Sequence, residues 1–234
     1  MIETFAALLL AHMLADFIAQ TPGMAEGKRH PGIMALHGAL VFALSAAALG
    51  GGWQVALAVA GAHLVIDAVK TWALPAPVRA TLTVFIVDQT AHLATLGAAA
   101  LLRPDTAATG LWAPWLAQLT VPAIVVAGAI ATILAGGHAV GRLMARYSAE
   151  EVPQGLPDAG RLIGQLERAM ILLLVLIGEP AGIGFLIAAK SVLRFDTAAK
   201  EQKAGEYVII GTLASFAWAL AAAHATMALI AAAP

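Results

Sequence analysis

The chain has 234 residues, 61% of them apolar and only 12% charged, with a formal net charge of −1. Roughly a quarter of an ordinary soluble domain is charged, so this composition excludes a water-soluble globular class, and the lack of any basic run leaves no electrostatic footprint for nucleic acid. With zero cysteines there is no disulfide framework and no thiolate metal site, so any metal must be held by nitrogen and oxygen atoms.

Nearly every uncharged stretch approaches the ~20 residues that a helix needs to cross a bilayer, which predicts an all-α, polytopic transmembrane helix bundle of about seven or eight segments. The first predicted helix, near residues 3–21, lacks a basic leader and carries His12 and Asp16, so it reads as a retained helix rather than a cleaved signal peptide. Further spans are predicted near 33–49, 53–72, 80–102, 117–141 and 206–232. Residues 162–195 are too long for one ordinary span. The run Gly178-Glu179-Pro180-Ala181-Gly182 interrupts them, predicting a short helix hairpin, with one kinked helix as the alternative.

The hairpin places every Lys and Arg except Arg103 on one side of the membrane, which the positive-inside rule makes cytoplasmic, with both termini outside. The longest cytoplasmic connection then runs from 141 to 160 and contains Pro153 and Pro157. The expected organisation is a four-helix core over 1–102 and a C-terminal membrane region over 103–234.

The first four helices contain an internal repeat. Ala11-His12-Met13-Leu14-Ala15-Asp16 recurs as Ala62-His63-Leu64-Val65-Ile66-Asp67, an offset of 51 that also maps His37 onto Asp88. Residues at i and i+4 share a helix face, so each HxxxD pair points at one object, and His92 adds a reversed pair with Asp88. All seven residues fall between the midplane and the cytoplasmic ends of their helices. Each intramembrane aspartate costs roughly 2.5 to 3.5 kcal/mol to insert, which calls for a compensating partner.

Polar side chains in a bundle also serve structural specificity. Repetition at one offset and one depth favours a metal or proton-handling site instead. His12, Asp16, His37, His63, Asp67, Asp88 and His92 are the expected ligands, with zinc the first candidate divalent ion, iron or manganese the alternatives, and room for two ions. Gln20 and Lys70 fall at the mouth of such a site. In the second half, Arg161, Arg168, Lys190 and Arg194 are candidates for a basic rim that holds an anionic headgroup, with Glu167 beside them as a further substrate-binding candidate; for Lys190 and Arg194 the simpler reading is membrane anchoring.

The segments LAHMLADFIAQ, HLVIDAVK, DQTAH, GQLERAM, GFLIAAKSVLRF and EYVIIGTLAS resemble a family of uncharacterised bacterial inner-membrane proteins, a domain of unknown function with its core motifs in 5–95. That resemblance implies a bacterial inner-membrane location and no established activity. The HxxxD helices also resemble those of predicted membrane-bound metal-dependent hydrolases, which implies His12, Asp16, His63 and Asp67 as ligands.

The expected function is therefore a membrane-embedded metal-dependent enzyme that hydrolyses a lipid or lipid-linked phosphate with metal-activated water. Asp88 or Asp16 would be the catalytic base. The alternative is a divalent-ion or proton-coupled transporter. A non-catalytic subunit ranks third, and an oligomer is compatible with any of these.

Overall fold

The computed structural model describes residues 1–147, 158–200 and 202–234, and side chains other than those of 193–204. The middle of the long connection expected on the cytoplasmic side, with Pro153 and Pro157, lies outside the described residues, as do the side chains of Arg194, Lys200 and Lys203. All regular structure among the described residues is helical.

Among the described residues, six helices are long and apolar enough to cross a membrane: Ile2–Ala19, Pro31–Ala48, Trp53–Ala73, Leu82–Leu102, Ala113–Met144 and Gly205–Ala231. The molecule is turned inside out relative to a soluble protein. Val65 exposes 63% of its surface while Asp67, two residues on, exposes 1%. In water that arrangement forfeits the hydrophobic effect, whereas in lipid the apolar exterior is solvated and the polar residues are sheltered. The chain is a multi-pass membrane protein.

Two compact units form, Met1–Ile130 with Leu229–Pro234, and Ala131–Ala228. In the first, each half of the repeat builds the same series of elements. Helix α1 (Ile2–Leu14) runs into a π-helical turn, Ala15–Ala19, then an extended Gln20 and a short helix α2 (Pro22–Gly27), before α3 (Pro31–Ala48) returns. Helix α4 (Trp53–Ala68) likewise runs into a π turn, Val69–Ala73, an extended Leu74 and a short α5 (Ala76–Arg79), before α6 (Leu82–Leu102) returns.

Prolines near the start of α2, α3 and α5 fit because the first helical turn needs no amide donor there. The side-chain oxygens of Thr21 and Thr81 accept from Met24 and Val84, capping α2 and α6. Both π turns fall at the same end of the unit: the first takes in Asp16 of its HxxxD pair, and the second begins two residues after Asp67. Single π turns of this kind are common at functional sites.

The opposite end is stitched by backbone and buried side chains. Thr4 donates to the Pro104 carbonyl at 2.7 Å and accepts from the Ala107 amide at 3.2 Å. Leu111 N donates to Gly50 O at 2.8 Å. Trp112 donates to the Ala47 carbonyl at 2.7 Å, and with Trp53 and Trp115 it supplies the amphipathic rings expected at a membrane boundary. Gly110 is required here, because a Cβ on it would lie 2.1 Å from the Leu49 carbonyl oxygen. Gly110→Ala should therefore destabilise this unit by about 1 to 3 kcal/mol through overpacking against backbone. A lowered thermal midpoint in detergent is the expected reading, and an unchanged midpoint would refute the close approach.

In the second unit, α9 (Ala159–Leu176) and α10 (Ala181–Lys200) form a hairpin about Gly178, whose φ of +76° is a glycine conformation. Gly182 packs against Leu174, and Lys190 bonds Glu167 at 2.6 Å. Helix α7 (Leu116–Ile130) belongs to the first unit; the second opens on a π turn over Ala131–Ala135 and α8 (Gly136–Met144), and the last helix of the chain is α11 (Gln202–Ala231).

Candidate metal centre

Helices α1, α3, α4 and α6 each turn histidine or aspartate toward one buried layer. His12, His37, His63, Asp67, Asp88 and His92 are all 5% exposed or less. The four imidazoles are in mutual contact: His63 stacks on His92 with ring centroids 4.0 Å apart, His37 lies 5.0 Å from His63, and His12 lies 5.2 Å from His92.

Three overlapping trios bring ligand atoms within 4.8 Å of one another: His12/Asp16/His63, His37/His63/Asp67 and Asp67/Asp88/His92. All seven residues singled out by the repeat are thereby assembled, with His63 and Asp67 shared between trios. The tightest geometry is around the two facing Nε2 atoms of His37 and His63, 3.0 Å apart. Asp16 Oδ1 lies 3.3 Å from the first and 3.4 Å from the second, and Asp67 Oδ2 lies 3.5 Å from each. Ligands bound to zinc at 2.0 to 2.1 Å sit about 3.4 Å apart along the edges of a tetrahedron, so these separations suit a small divalent ion.

Several buried atoms have no hydrogen-bond partner: His12 Nδ1, Asp16 Oδ1, His37 Nδ1, Asp88 Oδ1 and both ring nitrogens of His92. Orphaned polar atoms at this depth cost about 1 to 3 kcal/mol each. A cation receiving their lone pairs removes that cost. These buried His/Asp groups can hold a metal ion.

The state of His12 follows from its neighbours. Gln89 Nε2 faces Asp88 Oδ2 at 3.3 Å and must donate, since a carboxylate only accepts. The amide is thereby oriented with Oε1 toward His12 Nε2, at 3.3 Å, and that nitrogen must carry the proton. His12 Nδ1 is left with a bare lone pair inside the cluster, 3.9 Å from Asp16 Oδ2. Fixing a ligand's tautomer through its outer nitrogen is the usual arrangement around metal-binding histidines.

Two ammonium groups border the layer. Lys28 Nζ bonds Asp67 Oδ2 at 2.5 Å. Lys70 Nζ bonds Asp88 Oδ2 at 2.7 Å and approaches Asp67 Oδ1 at 3.5 Å. Lys28 and Gln89 are participants that motif reading passed over. The signal for Lys28 was the repeat itself, because the offset of 51 pairs it with Arg79, another cation beside the same end; Arg79 donates to the Thr71 carbonyl at 2.7 Å. The signal for Gln89 was its place next to Asp88 in DQTAH.

Among the remaining candidates, Gln20 ends the first π turn with a buried Oε1 that lacks a hydrogen-bond partner, and Lys70 lies within the cluster as described. Those in the second unit do not assemble into one basic rim among the described residues. Arg161 is exposed and pairs loosely with Asp158 at 3.5 Å. Arg168 is buried, donating to the Ile133 carbonyl and the Ser215 hydroxyl. Lys190 is held by Glu167 and lies 5.4 Å from the ring centre of Phe216. The side chain of Arg194 lies outside the described residues.

Residues 4–116 match the family described as "Protein of unknown function (DUF3307)". The match takes in all seven potential ligands together with Lys28, Lys70 and Gln89. No curated protein and no solved structure matches the chain.

Proposed function

We propose that the chain is a membrane-embedded metal-dependent hydrolase of a lipid or lipid-linked phosphate, working at the cytoplasmic side of a bacterial inner membrane. The observation that carries the reading is the facing nitrogen pair of His37 and His63, flanked by Asp16 and Asp67 at 3.3 to 3.5 Å. A purely nitrogen and oxygen donor set favours zinc, with iron or manganese as alternatives. A divalent ion supplies Lewis acidity and a water acidified to near neutrality. Asp88, whose Oδ1 has no hydrogen-bond partner, is placed to take a proton as general base, and its pairing with His92 Nε2 at 3.7 Å offers room for a second ion.

The orientation draws on charge. Lys28, Arg29, Lys70 and Arg79 lie at the ligand-rich end of the first unit and Arg103 at the other, which favours a cytoplasmic site and an external N-terminus. The deciding measurement is metal content of the purified chain alongside its hydrolysis of phosphorylated lipids. The expected result is one or two zinc ions per chain, roughly, and activity that a chelator abolishes. Metal-free protein at neutral pH, or turnover indifferent to chelation, would overturn the proposal.

A second reading is divalent-ion or proton-coupled transport, favoured by the ion pairs of Asp67 and Asp88 with lysines, which an arriving cation would displace. Uptake of zinc or manganese into proteoliposomes, lost in Asp67→Asn, would put transport first.

A further inference from the structure

The oxygen that completes the tightest ligand set is also the one that Lys28 occupies. Asp67 Oδ2 lies 3.5 Å from each of the His37 and His63 Nε2 atoms and 2.5 Å from Lys28 Nζ. His37, His63 and Asp67 would hold an ion there, and its charge would draw on that oxygen and repel the ammonium beside it. Lys70 differs, since its main partner is Asp88 Oδ2. Asp16 has no lysine within salt-bridge distance among the described residues, so the cationic border is one-sided.

Charge reinforces the geometry. Three carboxylates, Asp16, Asp67 and Asp88, face two ammonium groups, which leaves one negative charge in the absence of an ion when the imidazoles are neutral, the form that binds metal. One divalent ion reverses the sign, and a second raises the surplus further. A buried positive surplus is costly without an anion, and Lys28 is itself buried, with 8% exposure. A freed ammonium there has little water to turn to.

Resting on the metal-centre reading, we propose that Lys28 is a metal-released phosphate ligand: it neutralises Asp67 in the empty centre and, once an ion binds, joins Lys70 in holding the phosphate group of the substrate. The recognised chemistry is a phosphate oxyanion, whether on a lipid headgroup or free. Metal and phosphate then bind with positive coupling, and by thermodynamic reciprocity each tightens the other by the same factor.

The test uses the full chain in detergent, with equilibrium dialysis against labelled inorganic phosphate or dihexanoyl phosphatidic acid, with and without zinc, and zinc counted in the same samples. Zinc should tighten phosphate binding by about tenfold or more, a coupling of ordinary size. Lys28→Met should lose that gain while retaining zinc, and Lys28→Arg should keep part of it. Tighter binding of the phosphatidic acid than of inorganic phosphate assigns a lipid headgroup, and equal binding assigns a free phosphate; both support the proposal. Bound zinc with no change in phosphate affinity, or an undiminished gain in Lys28→Met, overturns it and leaves the metal centre standing. Absence of bound zinc overturns the metal reading and this inference together. Should Lys28→Met fail to fold, the wild-type comparison and Lys70→Met, expected to weaken phosphate in the zinc-loaded protein, decide the matter.

Discussion

Replacing His63 with alanine should reduce zinc affinity by at least about a hundredfold, more than any other single substitution in the cluster. Its Nε2 lies within 3.5 Å of His37 Nε2, Asp16 Oδ1 and Asp67 Oδ2, and it belongs to two of the three ligand trios. His92 belongs to one trio and should have a smaller effect. Gln89→Leu should fall between, because it removes no ligand but releases the His12 tautomer; loss of an outer-shell partner typically costs 10- to 100-fold in affinity. Competition against a zinc chelator of known affinity reads all three. His224→Ala is the matched control, since that ring bonds the Leu220 carbonyl of its own helix at 2.8 Å and belongs to no trio. Stoichiometric zinc in His63→Ala at wild-type affinity would remove the central inference.

That cluster was legible in the sequence because a helix converts spacing into direction. HxxxD puts both groups on one face, and an offset of 51 repeats the face on a second hairpin, so convergence of α1, α3, α4 and α6 follows from the residues alone. The break after α9 was equally readable, since Gly178 and Pro180 cannot both continue a helix. For Lys28 the repeat marked a cation at that end of the helices but not its partner. It follows a short helix in a connection, and only the fold reveals that its long side chain reaches Asp67, 39 residues further along the chain. The π turns were also invisible, because no residue type marks them. In the second unit one of them meets Arg168, whose guanidinium bonds the Ile133 carbonyl and the Ser215 hydroxyl.

Arg168→Met should destabilise the second unit by about 2 to 4 kcal/mol, combining a lost charged hydrogen bond with an orphaned carbonyl. A π turn shifts the hydrogen-bond register and leaves carbonyls without their usual helical partners. Over Ala131–Ala135 that demand is met from outside: Arg168 Nη2 and Nε reach the Ile133 oxygen at 2.9 and 3.1 Å, and Trp218 reaches the Ala131 oxygen at 3.0 Å. The guanidinium fits because three glycines line it. A Cβ on Gly137 or Gly164 would lie 3.2 or 3.1 Å from its terminal nitrogens, and one on Gly136 would lie 2.9 Å from its Cδ. Arg168→Lys should restore little of the loss, because one ammonium cannot replace two parallel donors to a single oxygen while also reaching Ser215. Unfolding midpoints in a denaturing-detergent titration measure the effect. If Arg168→Met unfolds with the wild type, the carbonyl has another donor; if Arg168→Lys is as stable as wild type, charge alone suffices and the forked geometry is incidental.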